Sequence, residues 1–156
     1  MSGDAAPRFA ADAMLGRLAR WLRVLGFDTT YDAAIADTVL VRHANDEGRV
    51  LLTRDRHLLR ELQPAQAHEV RQDAPLEQLG ELVRALDLAA PAELFTRCIL
   101  CNTPLAPARD RETPLGAQGP LLECPSCGRL YWHGSHVRRM RMALERALPG
   151  WLAPPA

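Results

Sequence analysis

A chain of 156 residues has room for one ordinary domain, or for a domain of about 100 residues with a small satellite. With 47% hydrophobic and 24% charged residues it has the balance of a protein that buries a core, which excludes a disordered chain. The formal net charge of 0 hides a bipolar distribution: residues 1–95 carry 11 Arg against 15 acids (−4), and residues 96–156 carry 8 Arg against 4 acids (+4).

All 19 basic residues are Arg, a bias that codon usage explains as readily as phosphate binding does. No segment approaches the roughly 18 consecutive apolar residues of a membrane helix, and the N-terminus lacks the basic and apolar regions of a secretion signal. A cytoplasmic protein without membrane contact is expected.

In chain order, Arg8-Phe9-Ala10-Ala11 reads as a short strand that ends at Asp12. Leu15, Leu18, Leu22 and Leu25 recur at helical spacing and Gly26 stops the run, which predicts a helix. Thr29-Thr30-Tyr31 predicts a second strand, with Asp28 and Asp32 flanking it as solvated turn residues. A helix over about Thr38 to Glu47 ends at Gly48. Val50-Leu51-Leu52-Thr53 is the unbroken apolar run of a strand buried on both faces, closed by Arg54-Asp55. A short helix through Leu58, Leu59 and Leu62 stops before Pro64, and His68 to Arg71 predicts a fourth strand. Pro75 then opens a helix with Leu76, Leu79, Leu82, Val83 and Leu86 on one face.

Strand and helix thus alternate four times, the pattern of an α/β fold whose parallel sheet is flanked by helices. After Pro91 the first cysteine appears and Pro and Gly become frequent, which predicts a domain over residues 8–90 and a second unit over 95–148. The second unit ends in a basic helix, His136 to Leu148, carrying Arg138, Arg139, Arg141 and Arg146. Residues 1–7 and 149–156 are expected to be disordered.

All four cysteines fall in two Cys-x-x-Cys pairs, Cys98/Cys101 and Cys124/Cys127, with 22 residues between the pairs. Each pair makes a tight turn that aims two thiolates at one point, and two such turns complete a tetrahedral sulfur site suited to structural Zn²⁺. Four protein ligands leave no open coordination position, so the metal would supply folding energy rather than catalysis. Disulfides and a redox iron on the same ligands are the competing readings.

Asp12 and Asp55 each follow a predicted parallel strand, where open α/β sheets form their ligand crevice. Two carboxylates side by side call for a cation such as Mg²⁺ or Mn²⁺. Asp37 would add a third ligand or cap the second helix, and Asp73 would add a fourth or cap the helix at Pro75. Past the second cysteine pair, Tyr131-Trp132-His133-Gly134-Ser135-His136 leads into the Arg-rich helix. Trp132, His133, His136, Arg138 and Arg139 are the residue types that stack on bases and bind phosphate, although isolated His and Arg residues also serve as plain surface.

Three motifs occur in order: Phe9-Ala10-Ala11-Asp12-Ala13-Met14-Leu15-Gly16-Arg17-Leu18-Ala19-Arg20-Trp21-Leu22-Arg23, Gly48-Arg49-Val50-Leu51-Leu52-Thr53-Arg54-Asp55, and the cysteine pairs with Trp132-His133-Gly134-Ser135-His136. Over about residues 8–146 the chain resembles the C-terminal ribonuclease domain of the Mut-seven exonucleases, a domain that also occurs as a stand-alone prokaryotic protein. The resemblance implies a PIN-like fold with an appended zinc ribbon and Mg²⁺- or Mn²⁺-dependent hydrolysis of RNA. It assigns the first-strand acid to Asp12, the helical acid to Asp37 and the acid of the Thr-Arg-Asp motif to Asp55, with Asp73 as the candidate for a fourth; in such a mechanism Arg17, Arg20, Arg23 and Arg54 would hold the RNA backbone, or solvate a helix face as such residues commonly do. A non-catalytic RNA- or ribosome-binding module with a vestigial acidic site, or a ribbon that docks a protein partner, is the alternative.

Overall fold

The computed structural model describes residues 5–154. Strands β1 (Phe9–Ala11), β2 (Thr29–Tyr31), β3 (Val50–Thr53) and β4 (Ala67–Glu69) form one sheet in the order β2-β1-β3-β4. Every neighbouring pair is parallel, with Phe9 opposite both Thr29 and Val50, and Leu51 opposite Ala67. Helices α1 (Gly16–Val24), α2 (Asp37–Glu47) and α3 (Arg56–Leu62) connect successive strands, and α4 (Pro75–Ala85) follows β4. The expected α/β architecture is therefore present.

Alternation along the central strands divides the core. Ala10 and Leu51 pack with Leu40, Val41, Ala44 and Leu58 of α2 and α3, whereas Phe9, Ala11 and Leu52 join Leu18, Leu22, Leu79 and Leu82 of α1 and α4. The two-residue side-chain period of a strand sends successive residues to opposite faces, so a central strand between two helical layers must be apolar throughout.

The C-terminal part is a three-stranded antiparallel sheet of β5 (Ala106–Pro107), β6 (Gln118–Glu123) and β7 (Leu130–His133), followed by α5 (Ser135–Ala147). It shares its core with the first part: Phe95, Cys98, Cys124, Tyr131, Leu144, Leu148 and Leu152 belong to the same buried cluster as Leu18 and Leu79. The expected disorder after residue 149 is corrected for the described residues. Trp151 Nε1 donates to the Leu88 oxygen at 3.0 Å, and Leu152 is buried, because two large apolar side chains there have a surface to cover. Residues 1–4 and 155–156 of the expected disordered ends lie outside the described residues. Among the described residues no helix is long and apolar enough to cross a membrane.

Candidate active site and metal centre

Because β1 and β3 are parallel neighbours, the residues that follow them emerge at the same edge of the sheet. Asp12 comes directly after β1 and Asp55 two residues after β3. Asp12 is buried; its Oδ2 accepts the Thr53 hydroxyl at 2.7 Å and its Oδ1 the Ala13 amide at 2.6 Å. The same Thr53 hydroxyl accepts the Asp55 amide at 3.0 Å, so one buried side chain links both aspartates. Asp55 Oδ1 accepts the amides of His57 (2.9 Å) and Leu58 (3.1 Å), capping α3. Asp12 likewise caps the single 3₁₀ turn Ala13–Leu15. Both aspartates are thus helix caps as well as strand-end acids, and these bonds fix their orientation.

The other two acids are not drawn in. Among the described residues, the only group of three or more ligand atoms within 4.8 Å of one another is that of the four cysteines. Asp37 stands exposed at the first residue of α2, a helix that begins without a side-chain cap. Asp73 does not cap α4 either, whose N-cap is Ala74. It is exposed, pairs with Arg54 at 2.7 Å and lines the cleft described below, without forming a ligand cluster with Asp12 and Asp55.

Beside the acid pair lies a 510 Å³ cleft at the carboxyl end of the sheet, lined among others by Met14, Arg17, Arg20, Tyr31, Arg54 and Gln78. Tyr31 crosses the mouth of α1 and donates from its hydroxyl to the Ala13 oxygen at 2.8 Å. Gly16 makes that crossing possible, since a Cβ there would stand 2.8 Å from the Tyr31 oxygen. Arg17 and Arg20 are exposed on the α1 face that borders the cleft.

Arg23, expected to contact RNA, is corrected. It is buried, and its guanidinium donates to the main-chain oxygens of Thr29 (2.9 Å), Ile99 (3.0 Å) and Leu100 (3.2 Å). One helical turn beyond Arg20 the α1 surface is covered by the cysteine region, and a buried guanidinium must spend its donors on carbonyls. Asp28, expected to be a solvated turn residue, is corrected as well. Its Oδ1 accepts Arg49 Nη1 at 2.8 Å and Asn102 Nδ2 at 2.6 Å. Burial pushes the Asp28 carboxyl up, but these two hydrogen bonds and the Arg49 charge outweigh it and hold the group below its usual value. Asp32 is the turn residue it was expected to be, accepting the Ala34 amide at 2.9 Å.

The metal centre is built from two matching turns. In the first, the Cys101 amide donates to Cys98 Sγ (3.4 Å) and the Asn102 amide to the Cys98 oxygen (2.9 Å). In the second, the Cys127 amide donates to Cys124 Sγ (3.5 Å) and the Gly128 amide to the Cys124 oxygen (2.9 Å). The fifth residue of each turn takes a left-handed backbone, φ 66° at Asn102 and φ 78° at Gly128, the conformation that Gly and Asn accept most readily.

The four Sγ atoms lie within 4.8 Å of one another, and Cys98 and Cys127 are 3.8 Å apart. A tetrahedron with Zn–S bonds of about 2.3 Å has sulfur–sulfur edges of about 3.8 Å, so the cluster fits zinc. No cysteine is paired in a disulfide. Burial raises the Cys98 thiol, yet the Tyr131 hydroxyl at 3.2 Å and the amides of the turn overcome it and bring the group down to about 7. The Cys101 thiol, sharing its proton with Cys127, is pushed up to about 12.

Of the remaining expected nucleic-acid contacts, Trp132, His133, His136, Arg138 and Arg139 are all exposed on β7 and α5. Sequence reasoning passed over Thr53 and Tyr31 at the acid edge and Asn102 at the first turn. The hydroxyl directly after an apolar strand run and the Asn directly after a Cys-x-x-Cys pair are the signals that would have found two of them.

Comparison with protein-family models matches residues 7–144 to the Mut7-C RNAse domain. Neither the curated proteins nor the solved structures returned a match. With 7–144 of 156 residues matched, on top of a parallel sheet with two linked aspartates at its edge and a four-sulfur cluster, the chain belongs to the Mut7-C RNAse domain family, which points to a nuclease acting on RNA.

Proposed function

We propose that the protein is a cytoplasmic ribonuclease that hydrolyses phosphodiester bonds of RNA, with a preference for single strands, using Mg²⁺ or Mn²⁺ held at Asp12 and Asp55. The observation that carries this reading is the Asp12–Thr53–Asp55 linkage at the strand ends, next to a cleft bordered by Arg17, Arg20 and Arg54. Mg²⁺ is commonly held by only one or two carboxylates, with water and substrate phosphate filling its other positions, so this pair is a sufficient donor set. When bound, such an ion acidifies a water for attack on phosphorus.

The chain's own residues supply the rest. The amides of Ala13, His57 and Leu58 and the Thr53 hydroxyl hold both carboxylates in place, leaving Asp55 Oδ2 for a cation. The arginines bind the phosphates on either side of the cut bond, and the Arg54–Asp73 pair keeps one guanidinium at the cleft rim. The cysteine cluster, loaded with zinc, serves as a structural ribbon whose basic surface assists RNA binding.

The second reading, an RNA- or ribosome-binding module with an inactive acid pair, is favoured by one observation: among the described residues, no third carboxylate forms a ligand cluster with Asp12 and Asp55. Asp12→Asn and Asp55→Asn decide between them. Metal-dependent cleavage of labelled single-stranded RNA should be lost in both variants while RNA binding survives. A wild-type protein that cuts no RNA in millimolar Mg²⁺ or Mn²⁺ leaves only the binding module.

A further inference from the structure

A second cleft, of 310 Å³, opens on the ribbon between β7 and α5, away from the acid pair. Its volume lies at the small end of the roughly 300–1,000 Å³ of ligand clefts. Phe95, Ile99 and Tyr131 give it apolar walls, Arg129 and His136 stand at its border, and Trp132 lines it with 39% of its surface still exposed. An indole left so open is costly in a protein whose other described tryptophans, Trp21 and Trp151, are packed against the core.

The indole is also held in position. Gly134 brings its bare backbone against it, so that a Cβ at that position would come 3.3 Å from Trp132 Nε1. Around this site the chain is basic, with Arg138 and Arg139 exposed in the first two turns of α5 and a net charge over residues 96–156 of +4, or +2 once four thiolates (−4) hold one Zn²⁺ (+2). An apolar slot beside an exposed indole, set in a positive surface, suits a flat uncharged ring attached to a polyanion.

We infer that this cleft is a nucleobase subsite, in which an unpaired base of single-stranded RNA stacks on Trp132 while Arg129, Arg138 and Arg139 bind the adjoining phosphates. The inference rests on the proposed RNA substrate but not on catalysis. It makes the ribbon a second point of attachment, so the preferred substrate is an RNA with an unpaired segment long enough to reach both clefts. Base stacking is indifferent to sequence, so the subsite selects for unpaired bases and not for a particular base.

The test uses the zinc-loaded full chain carrying Asp12→Asn, so that binding is measured without cutting. The probes are a labelled 12-nucleotide oligouridylate and an abasic ribose-phosphate oligomer of the same length. Trp132→Ala should weaken binding of the oligouridylate by about 5- to 150-fold, the usual worth of one stacked base, and leave the abasic oligomer unchanged. Trp132→Phe should restore most of the loss, and an unaltered zinc content shows that the ribbon is intact.

Equal affinity of the Trp132→Ala and parent proteins, or an equal loss on both probes, overturns the subsite. If the predicted pattern holds while the protein with Asp12 restored cuts no RNA, the subsite stands and the nuclease reading falls. If that protein cuts RNA but the pattern is missing, the subsite alone falls.

Discussion

The Arg23 guanidinium, on the helix that borders the acid-edge cleft, donates to the Ile99 oxygen inside the first cysteine turn at 3.0 Å. Burial lowers the Arg23 pKa, and the nearby Cys98, Cys101 and Asp28 partly offset that cost by favouring the charged form. The bond joins α1, which carries Arg17 and Arg20, to the metal centre. Removing the side chain would leave three carbonyls short of a donor. Arg23→Met should destabilise the fold by about 2–4 kcal/mol in urea titrations. Arg23→Lys should recover less than half of this, because one ammonium cannot reproduce the planar fork. The salt dependence of RNA binding should keep its slope in both variants, in contrast to Arg17→Ala and Arg20→Ala, where it should flatten.

Thr53→Val keeps the shape of the side chain and removes the hydroxyl that links the two aspartates. The Asp55 amide and Asp12 Oδ2 each lose a partner, which should cost about 1–3 kcal/mol of stability. Groups that orient metal ligands are typically worth about 10–100-fold in affinity or activity, so cleavage should fall by that factor while RNA binding is unchanged. Titrating Mg²⁺ or Mn²⁺ against the cleavage rate of both proteins checks it, with the variant expected to need more metal.

Elemental analysis should return about one zinc per chain. Because Cys98 and Cys124 sit in the same buried cluster as Leu18 and Leu79, stripping the metal should lower the stability of the whole chain and not of the ribbon alone. A loss of about 3 kcal/mol would move the melting temperature by about 6–12 °C at this size. Cys98→Ser should do the same, and differential scanning calorimetry should still show a single transition. Two transitions, with only one sensitive to chelator, would mean that the parts unfold separately.

The Asp28 carboxyl gives the fold a pH signature. Its folded-state pKa is depressed below the usual 3.8, so its contribution is fully present above that value and is lost as pH falls through the lower folded pKa. Asp28→Asn should destabilise the protein by about 1–3 kcal/mol at neutral pH, by exchanging the charged acceptor that Arg49 and Asn102 share for a neutral amide oxygen. The gap between variant and parent should close below about pH 4 as the parent carboxyl takes up its proton. Parallel urea titrations from pH 7 to pH 3 measure it.

Much of this fold is legible in the sequence, because the signals are local. Val50-Leu51-Leu52-Thr53 forms the strand its unbroken apolar run predicts, and Pro75 and Gly48 mark the helix ends they were expected to mark. The cysteine cluster is legible for the same reason, since a Cys-x-x-Cys spacing nearly determines its own turn.

What the sequence hides depends on contacts distant along the chain. Arg23 reads as one more solvated arginine at helical spacing with Arg17 and Arg20, until a segment 76 residues away covers it. Asp28 looks like a turn residue until Asn102, 74 residues on, docks onto it. Asp73 reads in the sequence as a candidate ligand or cap, and only side-chain geometry shows that it pairs with Arg54. The tail was misjudged because its Pro and Gly content outweighed the two apolar side chains that anchor it.

The two cysteine turns share one backbone geometry but not one residue at their fifth position. At Gly128 the surroundings are open, and any residue tolerant of positive φ would serve. Asn102 satisfies the same torsion and in addition offers its amide oxygen to the Thr29 amide at 2.9 Å and its amide nitrogen to Asp28. A glycine substituted there would keep the sulfur cluster and remove one of its fastenings to the sheet, leaving those through Arg23. Asn102 therefore separates two properties that are usually confused, the capacity to hold a metal and the rigidity with which the holder is mounted.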